Sequence, residues 1–328
     1  MKSAPGIDYS GFNYLLLQGG IFINVLVTGG AGFIGSHIVD ILLSTGYKVS
    51  VVDDLSTGRI ENINPGAKFY KVCLNTNELE NVFSLEQPAV VLHQAAQVNV
   101  QRSLKEPQAD AQINIIGAIN LLENCRRFKV TKVIYASSAA VYGNPTYLPV
   151  DEKHPADPQS PYGISKHTAE HYLKFYYQAY GIKYTILRYA NVYGPRQAAA
   201  GEGGVVAIFL NNLLNGNAPK IFGDGEQTRD FIYVKDVANS NLKAVKKGDG
   251  AVLNISTGVR LSVKELFYTI KKITGATLEP DYCLLRGGDV THSCLANNKA
   301  IEELGWRQCY SLEEGLRETL EFYVRERN

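Results

Sequence analysis

The sequence predicts an α/β fold built on a doubly wound parallel β-sheet, followed by a smaller C-terminal α/β lobe. Short apolar runs of strand type alternate with helical segments as far as residue 190, and a glycine-rich loop joins the first strand to the first helix. After about residue 195 the alternation loosens and glycine-rich connections appear. Buried strands separated by helices are typical of parallel βαβ units.

The predicted elements follow one another in a regular order. Strand-type runs cover 23–28, 48–52, 89–93, 132–136 and 184–189, and apolar residues recur at helical spacing in 35–45, 114–128 and 166–180. We expect residues 21–190 to form the first domain, rejoined by a segment near 230–260. Residues 191–328 are expected to form mainly the second lobe. Residues 1–20 fit neither pattern and are interpreted as an N-terminal extension.

Composition excludes several kinds of partner. The 328 residues carry a formal net charge of +1 and contain no run of basic residues, so neither nucleic acid nor a membrane surface is expected. The five cysteines are scattered, with no Cys-x-x-Cys pair. Such a set is typical of reduced thiols in a cytoplasmic protein and predicts no zinc site.

The first loop predicts a dinucleotide site. Gly29, Gly32 and Gly35 follow the first strand and open the first helix. Glycines at this spacing permit a tight turn, a close approach of the backbone to a diphosphate, and close packing of the helix on the sheet. The second strand ends in Asp53, 18 residues after Gly35. An acidic residue there hydrogen-bonds the adenosine ribose hydroxyls and repels a 2′-phosphate, which favours NAD over NADP.

A second motif predicts acid–base chemistry. Tyr162 and Lys166 lie four residues apart at the start of a helix and therefore on one face. A phenol has a pKa of roughly 10, and a nearby ammonium lowers that pKa toward the range of a useful base. The strand over 132–136 delivers Ser137 and Ser138 to its carboxyl end, where open α/β sheets bind their ligands.

Together these motifs resemble the extended short-chain dehydrogenases/reductases, and among them most closely the UDP-glucose (UDP-galactose) 4-epimerases. The resemblance runs from about Asn24 to the C-terminus. It rests on Thr-Gly-Gly-Ala-Gly-Phe-Ile-Gly-Ser-His at 28–37, Asp-Asp-Leu-Ser-Thr-Gly at 53–58, Ser-Ser-Ala-Ala-Val-Tyr-Gly at 137–143, Ser-Pro-Tyr-Gly-Ile-Ser-Lys at 160–166 and Gly-Asp-Gly-Glu-Gln-Thr-Arg-Asp at 223–230. It implies a Rossmann-like NAD-binding domain and a second lobe that binds a nucleotide sugar.

The resemblance also implies roles for individual residues. Ser138, Tyr162 and Lys166 correspond to the catalytic triad, and all three would contact substrate or cofactor. The other implied cofactor contacts are Gly29, Gly32, Phe33, Ile34, Gly35, Asp53, Asp54, Leu55, Ser56, Thr57, Gly58, Ala95, Asn114 and Tyr189. The other implied contacts to the UDP-sugar are Asn191, Val205, Phe222, Arg229, Arg286, Asp289 and Ser293.

Three positions bear on cofactor binding and substrate choice. Cys73 stands where the family usually has an aspartate near the adenine, which predicts a weaker contact there. Ala140 replaces a common threonine. Ser293 is placed, through Arg286 and Asp289, at the position that controls acceptance of N-acetyl groups, and its small size predicts that UDP-GlcNAc and UDP-GalNAc are accepted besides UDP-Glc and UDP-Gal.

The implied reaction is inversion at C4 by transient oxidation to a 4-keto sugar, with no net redox change. One alternative is another nucleotide-sugar enzyme of the superfamily, such as a 4,6-dehydratase, a decarboxylase or another epimerase. Those enzymes usually carry an acidic residue where Ala139 and Ala140 stand. A non-catalytic NAD-binding regulator is a further alternative. The resemblance also implies a homodimer formed through helices at about 101–127 and 163–180.

Overall fold

The computed structural model describes residues 16–17, 20–21, 23–199, 204–284 and 290–327. Most of the extension predicted for residues 1–20 lies outside the described residues. Two short antiparallel strands are described there, and the second of them ends at Ile21. These are β1 (Leu16–Leu17) and β2 (Gly20–Ile21).

The central sheet has seven parallel strands in the spatial order β13-β8-β7-β6-β3-β4-β5. The strands are β3 (Asn24–Thr28), β4 (Lys48–Asp53), β5 (Lys68–Lys71), β6 (Val90–His93), β7 (Lys132–Ser138), β8 (Lys183–Tyr189) and β13 (Ala251–Ile255). The chain order reverses at β3, so the carboxyl ends of β3 and β6 flank the switch point where such sheets bind ligands. The predicted doubly wound parallel sheet is confirmed.

Helices cover both faces of this sheet. They are α1 (Phe33–Ser44), α2 (Glu78–Glu86), α3 (Val100–Lys105), α4 (Pro107–Ala111), α5 (Gly117–Arg127), α6 (Pro161–Tyr180) and α8 (Val234–Ala244). Consecutive residues of one strand point to opposite faces of the sheet. Val27 packs in the hydrophobic core formed with α1 and α8, whereas Leu26 packs in the core formed with α2, α5 and α6. Because both faces are covered, the strands are continuously apolar rather than alternating.

Several boundaries differ from the sequence-based expectation for local reasons. Helix α6 begins at Pro161, because proline suits the first helical position and the Ser160 hydroxyl accepts a hydrogen bond of 3.1 Å from Gly163 N. The segment expected as a helix from residue 114 opens with a π-helical turn over Gln112–Ile116. Strand β7 continues to Ser138, beyond its expected end at residue 136. Strand β5 and helix α2 were not predicted.

The remaining elements lie after residue 190. They are β9 (Asn191–Tyr193), α7 (Val205–Leu214), β10 (Lys220–Phe222), β11 (Thr228–Arg229), β12 (Phe231–Tyr233), β14 (Leu261–Ser262), α9 (Val263–Thr274), β15 (Asp281–Cys283), α10 (Asn298–Leu304) and α11 (Leu312–Arg325). β9 pairs with β12 and β10 with β15, both in parallel, and β11 pairs with β14 antiparallel. Buried aromatic side chains such as Phe209 and Phe267 form a separate core between α7 and α9.

Candidate active site

One cleft lies across the carboxyl ends of the central strands and collects most of the predicted cofactor residues. Its lining includes Gly29, Gly32, Phe33, Ile34, Gly35, Asp53, Asp54, Ser56, Thr57, Gly58, Ala95, Tyr162, Lys166 and Tyr189. Among the predicted catalytic and cofactor-binding residues, Leu55, Asn114 and Ser138 are not on this lining. The roles assigned to individual site residues stay predictions.

The glycine loop is packed too closely for a side chain at Gly29 or Gly35. Gly29 has a φ of +71°, and a Cβ added there would lie 2.6 Å from the backbone nitrogen of Ala95. A Cβ on Gly35 would lie 2.1 Å from the carbonyl oxygen of Gly29. Gly32 caps helix α1 without a side chain, and no acidic residue occupies the first turn. The free N–H groups of that turn therefore fit the diphosphate of a dinucleotide.

Asp53 ties this loop to the next one. Its buried carboxylate accepts hydrogen bonds from Ala31 N at 3.0 Å and from Leu55 N at 2.9 Å. Burial nevertheless raises the pKa of Asp53 above its usual value, despite these two donors. A Cβ on Gly58 would lie 2.8 Å from Asp53 Oδ1, so only glycine lets the loop close over this carboxylate. Asp54 is exposed and accepts from Ser56 N instead.

Asn114 lies behind the lining rather than on it. Its amide oxygen accepts from Gln97 N at 2.8 Å, and its amide nitrogen donates to Gln97 O at 2.9 Å and to Ser165 Oγ at 3.0 Å. These bonds join the loop after β6 to helix α6. The geometry favours an indirect role for Asn114, which holds the cleft wall, over the direct cofactor contact that the resemblance implies.

Several lining residues were missed by the sequence reasoning. They follow β5, follow β6 or belong to the segment around α3: Val72, Leu74, Asn75, Gln94, Ala96, Gln97, Val98, Arg102 and Ile113. The residues after β6 could have been found, because ligands of parallel sheets gather after strand carboxyl ends. After β5 the resemblance marked Cys73 alone, which does line the cleft, and its neighbours were missed because that short, half-exposed strand gives little periodic signal.

Lys166 joins helix α6 to the end of β7. Its side chain is buried, and its ammonium donates a hydrogen bond of 2.8 Å to the carbonyl oxygen of Ala136. The same ammonium lies 5.1 Å from the centre of the Tyr135 ring. Burial lowers the pKa of Lys166 to about 8, because the interior disfavours its charged form. Tyr162 lies one turn earlier on the same helix, is half-buried and lines the cleft.

The two serines at the end of β7 have different partners. Ser137 is buried and donates a hydrogen bond of 2.6 Å to Glu170. Ser138 caps the short turn Ala139–Val141, and its oxygen accepts from Ala140 N at 3.1 Å. Its own O–H has no acceptor among the described residues. A Cβ on Gly163 would lie 2.7 Å from the carbonyl oxygen of Ala140, so this turn packs directly against the residue beside Tyr162.

A buried ion pair supports this wall. Arg188 Nη2 and Glu170 Oε2 are 2.6 Å apart, and Arg188 Nε donates to Glu170 Oε1 at 2.9 Å. The guanidinium also lies 4.7 Å from the centre of the Tyr142 ring. Both partners are almost completely buried. The pair connects α6 to β8 and, through Ser137, to β7.

Five other residues predicted to contact the substrate are not on the lining of this cleft: Asn191, Val205, Phe222, Arg229 and Ser293. Two of them share a partner. The carbonyl oxygen of Thr228 accepts from Ser293 N at 3.1 Å and from Arg229 Nη1 at 2.9 Å. Asn191 opens β9, Val205 opens α7 and Phe222 ends β10. The structure therefore brings Arg229 and Ser293 together. Arg286 and Asp289 lie outside the described residues.

Metal binding and membrane insertion are the two remaining properties that bear on function. In residues 23–199, 204–284 and 290–327, no group of three or more His, Cys, Asp or Glu side chains could hold a metal ion. None of the described helices is both long and apolar enough to cross a membrane.

Comparison with known proteins gives a consistent set of similarities. The model of the NAD dependent epimerase/dehydratase family matches residues 25–256. A UDP-glucose 4-epimerase of Mycolicibacterium smegmatis is 42% identical over 308 residues, covering 92% of this chain and 98% of that protein. The UDP-glucose 4-epimerase of Thermotoga maritima, solved with UDP-glucose, has a TM-score of 0.92 and 50% identity, covering 93% of this chain and 100% of that one.

A third similarity concerns a different sugar. The UDP-N-acetylglucosamine 4-epimerase of Methanobrevibacter ruminantium, solved with UDP-N-acetylmuramic acid, has a TM-score of 0.89 and 36% identity, covering 93% of this chain and 99% of that one. Proteins with these two sugar specificities thus share the fold described here.

Proposed function

Because the chain belongs to the NAD dependent epimerase/dehydratase family, we propose that it is an NAD-dependent 4-epimerase of UDP-hexoses. The observation that carries the proposal is the convergence of three elements at one place. The glycine loop and the α6 pair Tyr162 and Lys166 line one cleft at the carboxyl ends of the central strands, and the turn capped by Ser138 packs against the start of α6.

Each of the three catalytic residues has its own role in the proposed reaction. Bound NAD supplies reversible oxidation of an alcohol carbon. Tyr162 accepts the proton of the sugar 4-hydroxyl and returns it after the sugar has turned over. Lys166 holds a positive charge one helical turn away and thereby stabilises the phenolate. The Ser138 O–H donates to the same sugar oxygen and keeps it beside the phenol.

Epimerisation fits the turn after β7 better than dehydration does. Elimination of water from a 4-keto sugar needs an acid and a base beside the neighbouring carbons. The turn Ala139–Val141 carries only apolar side chains at that place. Proton transfer at the 4-hydroxyl alone requires no more than Tyr162.

The division of the chain into lobes is part of the proposal. Residues 21–190, with the segment near 230–260, would bind NAD, and residues 191–328 would mainly bind the UDP-sugar. Support comes from β13, which pairs with β8 at the edge of the central sheet, and from α8, which packs against α1. Arg229, and Arg286 by resemblance, would neutralise the diphosphate of UDP as planar bidentate donors.

A homodimer is also proposed, with helices α3, α5 and α6 at its interface. The exposed faces of these helices, and of the π-helical turn that precedes α5, carry large apolar side chains, including Leu104, Ile116, Ile164 and Phe175. Clustered exposed apolar residues of this kind mark interaction sites. Light scattering after size exclusion should report twice the mass of one chain, and Phe175→Glu should shift it to that of one chain.

The proposed reaction can be tested without added cofactor. The purified protein is incubated with UDP-galactose, and separately with UDP-GlcNAc, and the products are resolved chromatographically. Formation of UDP-glucose in the first tube would establish C4 epimerisation with retained NAD. Activity that appears only with added NAD would indicate a weak cofactor contact, with Cys73 as the first position to change. No conversion under either condition would refute the proposal.

A further inference from the structure

Arg102 stands out among the side chains of the cleft because its charge has no role in the mechanism above. Only two cationic side chains occur among the described residues that line the cleft, Lys166 and Arg102. Lys166 is committed to the carbonyl oxygen of Ala136. The glycine loop and first helical turn, residues 29–36, contain no lysine or arginine. Backbone N–H groups alone would therefore face the two negative charges of a dinucleotide diphosphate.

The backbone of Arg102 is fixed at the rim of the cleft. Asn99 caps helix α3 by accepting a hydrogen bond of 2.8 Å from Arg102 N. Asn99 N in turn donates to Gln97 Oε1 at 2.5 Å, and Gln97 Nε2 donates to the buried Asp110 at 2.7 Å. This chain of bonds runs from the protein interior to the first turn of α3. These hydrogen bonds therefore fix the backbone of Arg102 beside the cleft.

The side chain, by contrast, is held only loosely. Arg102 Nε lies 3.1 Å from Glu106 Oε2, and the two side chains are 44% and 55% exposed. An exposed pair of this kind contributes little to stability and is readily exchanged for a better anion. A guanidinium presents five N–H donors in a fork that matches a diphosphate, which can bind it at two points.

We propose that Arg102 binds the diphosphate of NAD and leaves Glu106 when the cofactor enters. This inference rests on the proposed function, since it assumes that the cleft binds NAD. The anionic diphosphate, and not the adenine ring, is the group recognised. Arg102 is a binding residue for the cofactor and takes no part in proton transfer.

The test measures binding of NAD, ADP and adenosine by full-length protein whose residual NAD has been quantified. Wild type is compared with Arg102→Ala and with the control Arg126→Ala. Arg126 is likewise an exposed arginine paired within its helix, with Glu123, but lies on α5 away from the cleft lining. Arg102→Ala should weaken NAD and ADP binding about tenfold at low salt, the loss expected for a charge-assisted contact. Adenosine binding should not change.

Salt provides an independent readout. Raising the ionic strength from about 0.01 M to about 1 M shortens the Debye length from about 30 Å to about 3 Å, and the difference between wild type and Arg102→Ala should shrink accordingly. Glu106→Gln should tighten NAD binding, because the competing carboxylate charge is gone.

The outcomes separate the two proposals. Wild type that fails to bind NAD would refute the proposed function itself. Wild type that binds NAD, with Arg102→Ala binding equally well, would overturn only the role of Arg102. Equal losses for adenosine and ADP would show that Arg102 packs on the adenine, which also overturns the inference.

Discussion

The ammonium of Lys166 donates a hydrogen bond to the carbonyl oxygen of Ala136, at 2.8 Å, and this bond joins helix α6 to the carboxyl end of β7. The two elements supply Tyr162 and Ser138. This bond helps to fix their relative position, and in the proposed reaction the same ammonium acts on the phenol one helical turn away. The state of that charge should control both the chemistry and its pH dependence.

We expect the epimerisation rate to fall as the pH rises through about 8. Burial lowers the pKa of Lys166 to about 8, so the ammonium is present below that value and is lost above it. Its loss removes the charge that stabilises the Tyr162 phenolate. A pH profile of kcat with saturating UDP-galactose checks this, with NAD content measured at each pH as the control. A profile that stays level well above pH 8 would contradict it.

Tyr162→Phe should lower the turnover rate strongly and leave binding of NAD and UDP intact. The phenyl ring keeps the packing but cannot carry the proton of the 4-hydroxyl, a loss of about 10²- to 10⁴-fold in rate. The measurement is product formation beside calorimetric binding of NAD and UDP. Tyr177→Phe is the control, because Tyr177 is an exposed tyrosine of the same helix. Retention of activity in Tyr162→Phe would rule out this tyrosine as the proton acceptor.

Glu170→Gln should destabilise the fold by about 3–5 kcal/mol, because it leaves the Arg188 guanidinium buried without its counter-charge. Urea unfolding measures the free energy of unfolding. Glu80→Gln is the matched control, since Glu80 pairs with Arg127 on the surface and should change stability by less than about 1 kcal/mol. Similar losses in the free energy of unfolding for both variants would show that the buried pair stabilises the fold no more than a surface pair does.

Acid should destabilise the protein through His37, whose Nε2 lies 3.0 Å from the carbonyl oxygen of Pro195. Burial lowers the pKa of His37 to about 4 from an ordinary value of 6.5. Between these values the unfolded chain binds the proton that the folded chain does not, so stability is lost as the pH falls from 6.5 toward 4.

The loss attributable to His37 is on the order of 3 kcal/mol near pH 4. Thermal unfolding of His37→Gln across this range should show a shallower decline than wild type. His292→Gln, at an exposed histidine, serves as the control and should follow wild type. If His37→Gln loses stability as steeply as wild type, the effect belongs to other groups.

Ser293→Tyr should abolish epimerisation of UDP-GlcNAc and spare that of UDP-galactose. Ser293 N donates to the carbonyl oxygen of Thr228, which also accepts from Arg229, so a bulky side chain there would stand beside the proposed diphosphate contact. Initial rates with the two substrates give the answer, and Ser293→Ala should retain both activities. Loss of both activities in the tyrosine variant, or of neither, would remove Ser293 as the determinant.

Much of the fold could be predicted because its signals are local. A strand buried on both faces is apolar throughout, and a helix repeats its apolar residues at a fixed spacing, so both can be recognised within a few residues. The loop from Gly29 to Gly35 is a single turn whose glycines are required by contacts of 2.1 and 2.6 Å that any Cβ would make. Short, half-exposed β5 lacked such a signal and was missed.

The sequence by itself therefore determined the sheet, the cofactor loop and the candidate residues Tyr162 and Lys166. Only the tertiary structure decided which neighbouring side chains reach the cleft. Asn114 lies behind the lining, where it donates a hydrogen bond to Ser165, 51 residues later. Ser137 is on the lining, but its hydroxyl donates to Glu170, 33 residues later. Such roles depend on hydrogen bonds between distant segments, whose geometry exists only once the helices have packed on the sheet.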